Sequence, residues 1–459
     1  MGHKKAIPWI IAAALLMETL DITIVSTALP AMAASFSVDP LSLKIALTSY
    51  VLSLAIFIPI SGWIADRIGT RTTFMSSIAI FILSSIGCGV AHSLGDIVIG
   101  RIIQGIGGAL MMPTGRLILL HTFEKKEFIQ ATAFMTTPAL LGPMLGPFFG
   151  GWITTYSSWQ WIFYVNIPIG IIGLIVSLRY IKNIRNEKCP PFDAWGFTLF
   201  GSSMIVLFTL IEAIDLSVVS LKAAIAALFL SSCGFYSFYL HYKKKAMPLI
   251  NLDLFKIKTF RISTIGSLVS RLGTASISFL LPLFFQVGYD LTPLQSGLLI
   301  CIWTLGMISI RVWQKKILHR FGFSKVLPTA AIFTGATIIC FSKITLTDPY
   351  TLTMILFLNG MCSSALFFGI NTLCYADIHR KDQSNATSIV STIQYLSIGI
   401  GITISALILH YFVGWNRPLV AGSPAPFRDA FVITGIFVCL ASLIFFSLKR
   451  TDGAELLQK

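Results

Sequence analysis

Charge is scarce in this chain. Only 12% of its 459 residues are Asp, Glu, Lys or Arg, against roughly 25% in soluble domains, and 55% are hydrophobic. With a mean hydropathy of +0.82 and no hydrophilic stretch long enough for a soluble domain, the composition is that of a polytopic membrane protein. Acidic residues are the scarcest, 19 Asp and Glu against 34 Lys and Arg, for a net charge of +15. On a soluble domain that excess would suggest nucleic acid or anionic lipid. Here the basic residues cluster between apolar runs and mark cytoplasmic loops, so no nucleic-acid partner is expected. The eight cysteines (Cys88, Cys189, Cys233, Cys301, Cys340, Cys362, Cys374, Cys439) form no Cys-x-x-Cys pair and sit mostly inside apolar runs. They read as reduced packing residues, without a disulfide frame, a zinc site or another cofactor. No nucleophile–His–acid set or metal triad stands out, which argues against an enzyme.

Long hydrophobic runs dominate instead. Segments of about 20 apolar residues, broken by Gly, Pro or charge, fall near 8–30, 45–65, 74–92, 96–119, 128–155, 162–181, 195–214, 222–242, 262–288, 295–312, 326–344, 350–373, 387–412 and 428–448. This predicts fourteen transmembrane helices in an all-α fold. Most of the Lys and Arg fall in alternate loops, which places both termini in the cytoplasm. Lys4 and Lys5 before an apolar run, with Ala31-Met32-Ala33 beyond it, resemble a signal peptide, but Glu18 and Asp21 interrupt the run and favour an uncleaved first helix. Asp66-Arg67-Ile68-Gly69-Thr70-Arg71 has an echo in His319-Arg320-Phe321-Gly322-Phe323-Ser324-Lys325. The repeat predicts six-helix blocks at 1–188 and 262–459 around an extra pair of helices and a basic linker at 189–261, the plan of many secondary transporters.

The first helix carries the oddity. Glu18 and Asp21 lie one turn apart in a run that otherwise reads as membrane-spanning, where an ionised carboxylate costs about 2.5 kcal/mol or more. Carboxylates at that depth usually face a protein-lined cavity and are used there. Arg101, on the fourth run, demands a partner when buried, and a carboxylate across the cavity is the natural one; a fixed structural ion pair is the competing account. Gly142-Pro143-Met144-Leu145-Gly146-Pro147-Phe148-Phe149-Gly150-Gly151 places a small residue every four positions, a face that lets a neighbouring backbone come close, and its prolines remove backbone donors.

These stretches resemble a known family. Gly62-Trp63-Ile64-Ala65-Asp66-Arg67-Ile68-Gly69-Thr70-Arg71 is similar to the gating-loop signature of the major facilitator superfamily, and Leu20-Asp21-Ile22-Thr23-Ile24-Val25-Ser26-Thr27-Ala28-Leu29-Pro30 to the first-helix signature of its fourteen-span drug:proton antiporters, with Ser26 where those usually carry Asn. Arg101-Ile102-Ile103-Gln104-Gly105-Ile106-Gly107-Gly108-Ala109 resembles the fourth-helix motif, Gly142 to Gly151 the fifth-helix antiporter motif, and Trp159-Gln160-Trp161-Ile162-Phe163-Tyr164-Val165-Asn166-Ile167-Pro168-Ile169-Gly170 the start of the sixth helix, although such an aromatic cluster also suits an interfacial anchor. His319 replaces the acid of the gating loop in the second copy.

The resemblance implies a major facilitator fold of two six-helix bundles plus two extra helices. It implies a proton-coupled exporter of amphipathic or cationic drugs across the inner membrane, working as a monomer on a small-molecule substrate and protons. Asp21 and Arg101 would couple protons, with Glu18 a second candidate on geometry alone. Gly62, Asp66, Arg67, Gly69 and Arg71 would form the gating loop, and Gly142, Gly146, Pro147, Gly150 and Gly151 the antiporter helix. Gln104, Arg116, Arg271, Gln286, Asn371 and Gln394 are candidates to line the substrate cavity, with helix–helix contacts as their alternative. Three membrane Arg residues also suit an anionic endogenous metabolite such as a siderophore, a metal chelate or an amino acid. A non-transporting sensor or membrane enzyme is the remote alternative.

Overall fold

Helices follow the apolar runs. The computed structural model describes residues 2–124, 141–186, 191–215, 220–245, 248–344, 348–379, 382–414 and 422–453, with isolated residues between them. Among the described residues there is no strand. The helices are α1 Gly2–Phe36, α2 Lys44–Ile68, α3 Thr70–Gly89, α4 Leu94–Thr122, α5 Gly142–Tyr156, α6 Trp161–Tyr180, α7 Ala194–Asp215 and α8 Leu221–Lys244. They continue with α9 Lys258–Leu283, α10 Pro293–Ser309, α11 Arg311–Phe321, α12 Phe323–Cys340, α13 Pro349–Cys374, α14 Gln383–Val413 and α15 Ala425–Phe445.

Twelve of these stretches are long and apolar enough to cross a membrane, and α10 with α11, bent by 47° at Ile310, makes a thirteenth if it is one span. The bend falls where the apolar run gives way to the basic stretch Arg311 to Arg320. The span expected at 128–155 is described mainly from Leu141 onward, as α5, and its earlier part lies largely outside the described residues, as does the boundary at residue 188.

Contacts gather the chain into two compact units. The first holds Met1–Val38, Ile45–Ile214 and Val219–Leu249; the second holds Asp39–Lys44, Asp215–Val218 and Ile250–Lys459. The extra pair, α7 and α8, belongs to the first. Asp193 ties its ends: the carboxylate accepts from Gly196 N at 3.2 Å, from Leu249 N at 3.2 Å and pairs with His241 Nε2 at 2.7 Å. Burial acts to raise the Asp193 pKa, but these bonds outweigh it and hold the carboxyl below its ordinary range. Glu212, near the far end of α7, accepts from Thr48 Oγ1 of α2 at 3.0 Å.

Helix ends show why the chain breaks where it does. Ser93 and Asp96 form a reciprocal capping box at the start of α4, and Thr292 and Gln295 another at the start of α10. Between α2 and α3 the chain turns at Gly69, with φ +101°, and between α11 and α12 at Gly322, with φ +72°. Both are backbone conformations that side chains resist, so the repeated Arg-x-Gly of the sequence marks the same turn in each half.

The position of α1 depends on α5. Gly142, Gly146 and Gly150 face Thr19, Thr23 and Thr27 of α1, and Thr23 Oγ1 donates to Gly142 O at 3.2 Å. A Cβ on Gly146 would overlap Thr23 Oγ1 and lie 3.1 Å from Ile24 N. We expect Gly146→Leu to lower the unfolding temperature of the purified protein, an overpacking cost of about 1–3 kcal/mol. Thr23→Ala should recover part of it; equal stability of Gly146→Leu and parent would show that the close approach is unimportant.

Candidate functional site: a buried carboxylate–guanidinium centre

Asp21 and Arg101 meet in the interior of the first unit, and neither side chain is exposed to solvent. Arg101 Nη1 donates to Asp21 Oδ2 in a short, charge-assisted bond. The guanidinium is held from three further sides. Its Nε donates to Ala46 O of α2 at 2.9 Å, Nη1 also donates to Gln104 Oε1 at 2.6 Å, and its carbon lies 4.1 Å from the centre of the Tyr50 ring. A planar cation between a carboxylate and an aromatic face is a low-cost way to bury Arg. Ser53 Oγ, donating to Ile102 O at 2.8 Å, binds α2 and α4 together beside it.

The other carboxylate oxygen is met by neutral donors. Asp21 Oδ1 accepts from Gln104 Nε2 at 2.9 Å and from Asn166 Nδ2 of α6 at 3.0 Å. Both amides also reach Ser85 Oγ of α3, at 2.9 Å and 3.4 Å. Gln104, a cavity candidate by sequence, is thus engaged with the ion pair, one turn along α4 from Arg101. Asn166 and Ser85 are the members that sequence reasoning missed. Asn166 lies within a stretch that reads as an aromatic anchor, and the signal available was a lone amide in an apolar run.

Glu18 is also buried, one turn before Asp21. The residues expected from sequence to form a gating loop gather at the α2–α3 turn: Arg67 is exposed, while Gly62, Asp66 and Arg71 are half-buried. Among the described residues Asp66 forms no ion pair; its carbonyl accepts from Asn186 N at 2.9 Å, and Thr70 N donates to Ile184 O at 2.9 Å. The segment leaving α6 therefore runs along the loop and holds it by backbone bonds. Pro147 and Gly151 are buried in α5 with the glycine stripe. Arg116 is half-buried on α4, and Gln286 is buried in the π-turn Phe284–Gly288 that extends α9.

The second unit holds a different cluster. Arg271 of α9 is half-buried, donates from Nε to Ser267 Oγ at 3.3 Å, and lies 4.8 Å from the centre of the exposed Phe367 ring. Asn371 Nδ2 donates to Phe367 O at 2.8 Å, and Asn371 Oδ1 accepts from Gln394 Nε2 at 2.8 Å. Among the described residues no carboxylate forms an ion pair with Arg271.

An ion pair sealed in one unit of a many-helix membrane protein and a repeated turn in each unit agree with the transporter expected from sequence. The family model of the Major Facilitator Superfamily matches residues 11–262 and 263–458, and the chain belongs to that family. It is 34% identical to the "Putative multidrug resistance protein MdtD" of Yersinia enterocolitica serotype O:8 / biotype 1B, over 99% of this chain and 97% of that one. It is 35% identical to the protein of the same name from Escherichia coli O6:H1, over 95% and 92%. The fold is similar to a crystal structure of the D-xylose-proton symporter (TM-score 0.69, 14% identity, 98% of each chain) and to a bacterial homologue of the human lysosomal transporter Spinster (TM-score 0.66, 14% identity, 97% and 96%).

The pairing makes a stability prediction. Arg101→Leu leaves a buried carboxylate without its cation and should cost about 3–5 kcal/mol, read as a fall in unfolding temperature in detergent. Adding Asp21→Asn removes the orphaned charge and should restore much of the loss. Strictly additive effects would mean that the two charges do not depend on each other.

Proposed function

We propose that the protein is a proton-coupled exporter of amphipathic or cationic compounds, working by alternating access in the cytoplasmic membrane with both termini inside. The observation that carries the reading is the Asp21–Arg101 pair, fully buried in a chain of this transporter family. An ionised carboxylate at that depth persists only against a cation, so withdrawing Arg101 as helices shift would favour uptake of a proton, and its return would favour release. Each proton moving inward gains about 2.3 kcal/mol per 100 mV, enough for about a fiftyfold gradient per charge moved. Glu18 is a second titrating group on the same helix. Residues 1–188 and 262–459 form the two moving bundles, 189–261 an added pair and linker, and the full set of spans is fourteen. Export of drugs is the activity that the names of the relatives suggest, and the glycine-rich face of α5 agrees with the antiporter motif.

Proteoliposomes with an imposed proton gradient and ethidium as probe test this. The parent should accumulate ethidium against its gradient, and Asp21→Asn should lose the uphill phase while still reconstituting normally. Uphill movement at the parent rate in Asp21→Asn would overturn the coupling assignment.

A second reading is favoured by Arg271. Arg101 is neutralised by Asp21, whereas Arg271 has no ion-pair partner among the described residues and lies beside an amide pair and an aromatic ring, the chemistry that binds an anionic group. Under this reading the substrate is one endogenous metabolite with an acidic group, and a deletion strain should retain it above the level of its parent. Arg271→Gln should then impair its export and leave ethidium transport unchanged; no metabolite difference would exclude the reading.

A further inference from the structure

The ion pair explains how Asp21 is charged but leaves Asn166 and Ser85 without a task. Among the described residues, each hydrogen bond to the Asp21 carboxylate comes from an N–H donor: the guanidinium on Oδ2, the Gln104 and Asn166 amides on Oδ1. A ring of donors suits an ionised carboxylate, whose single charge is shared by both oxygens, because a protonated carboxyl carries a hydrogen of its own and offers fewer acceptor sites. Two of the three donors, Arg101 and Gln104, stand one turn apart on α4 and are bonded to each other at 2.6 Å, so they shift together. Asn166 comes from a different helix, α6. Ser85, on α3, accepts from both amides and thereby fixes which way each points.

We infer that Asn166 is a positioning residue for proton coupling: its amide on α6, oriented by Ser85 of α3, holds Asp21 in the ionised form independently of Arg101, so that separation of α6 from α1 by itself favours protonation. This rests on the proton-coupled reading above. It adds that α3 and α6, which carry none of the coupling pair, control when the proton binds. The arrangement is built from buried side chains: Asn166, Ser85 and Gln104 are all sealed from solvent. Each amide nitrogen uses two hydrogens, one on Asp21 and one on Ser85, so neither rotates freely to another acceptor.

Infrared difference spectroscopy of the purified full-length protein between acid and alkaline pH tests this without a transported substrate. The protonated-carboxyl band that disappears in Asp21→Asn belongs to Asp21. In Asn166→Ala the midpoint of that band should move to higher pH by about one pH unit, the loss of one hydrogen bond to a charged group. Ser85→Ala deletes no contact to Asp21 itself and should move it in the same direction by less, which keeps the test alive if Asn166→Ala does not fold. Asn166→Gln, which keeps an amide, should lie between parent and Asn166→Ala. An Asp21 band that titrates in the parent and stays in place in the folded Asn166 and Ser85 variants would overturn the role of Asn166 while leaving proton coupling intact. A spectrum that Asp21→Asn leaves unchanged would overturn the coupling reading and this inference with it.

Discussion

One buried ion pair imposes most of the order seen in the first unit. Moving two charges out of water carries a penalty of several kcal/mol per ion, and their attraction repays it only with good geometry and further hydrogen bonds. The surroundings of Asp21 and Arg101 supply those bonds from three helices, a carbonyl and a ring from α2, an amide from α4 and an amide from α6, with a hydroxyl from α3 behind the two amides. Asp21 of α1 is thus bonded to α4 and α6, while α2 bonds to Arg101 of α4 and α3 to the amides of α4 and α6. Such a centre stabilises less than a hydrocarbon core of equal volume. What it contributes is dependence on geometry, since small displacements of one helix change the balance of charge.

That dependence requires α1 to be firmly seated on its other side. Asp21 and Thr23 are two residues apart, about 200° around the helix, so the carboxylate and the threonine row face opposite neighbours. The row meets the glycines of α5, where the threonine side chains lie directly against bare backbone. The glycine stripe of α5 and the buried Asp21 carboxylate therefore meet α1 on opposite faces of the same stretch. A motif that reads as a packing device also fixes where a charge sits.

Much of this was legible in the sequence, for different physical reasons. Helix positions follow from apolar run length, which the membrane thickness dictates, and each expected run coincides with a helix wherever the residues are described. The paired turns at Gly69 and Gly322 follow from a glycine that only one backbone geometry demands. Asp21 and Arg101 stood out because charge at membrane depth is costly. Asn166 and Ser85 did not, because a single amide or hydroxyl is tolerated in many apolar helices, and its partner depends on helix packing that no periodicity encodes. The bend between α10 and α11 was hidden in the same way: 295–312 counts as one apolar run, and the basic stretch that follows reads as a loop although it is helical.

The two units treat buried polarity differently despite their repeated plan. In the first, opposite charges are joined. In the second, the polar side chains inside the helices pair mostly as neutral groups, with Trp303 Nε1 donating to Asn359 Oδ1 at 2.8 Å, Asn359 Nδ2 to Thr337 Oγ1 at 2.8 Å, and Gln314 Nε2 to Ser364 Oγ at 2.8 Å. Such links hold helices together without responding to protonation, because amides, hydroxyls and indoles do not titrate near neutral pH. Arg271 stands apart from them as a cation on an aromatic face, with its charge unopposed by any carboxylate among the described residues. Under the proposed proton-coupled reading, a proton taken up by Asp21 would change the net charge of the Asp21–Arg101 pair from zero to positive, whereas the amide, hydroxyl and indole links named in the second unit would not respond. On that reading the asymmetry would place proton response in the unit that carries Asp21 and leave Arg271, in the other, with a charge that stays constant.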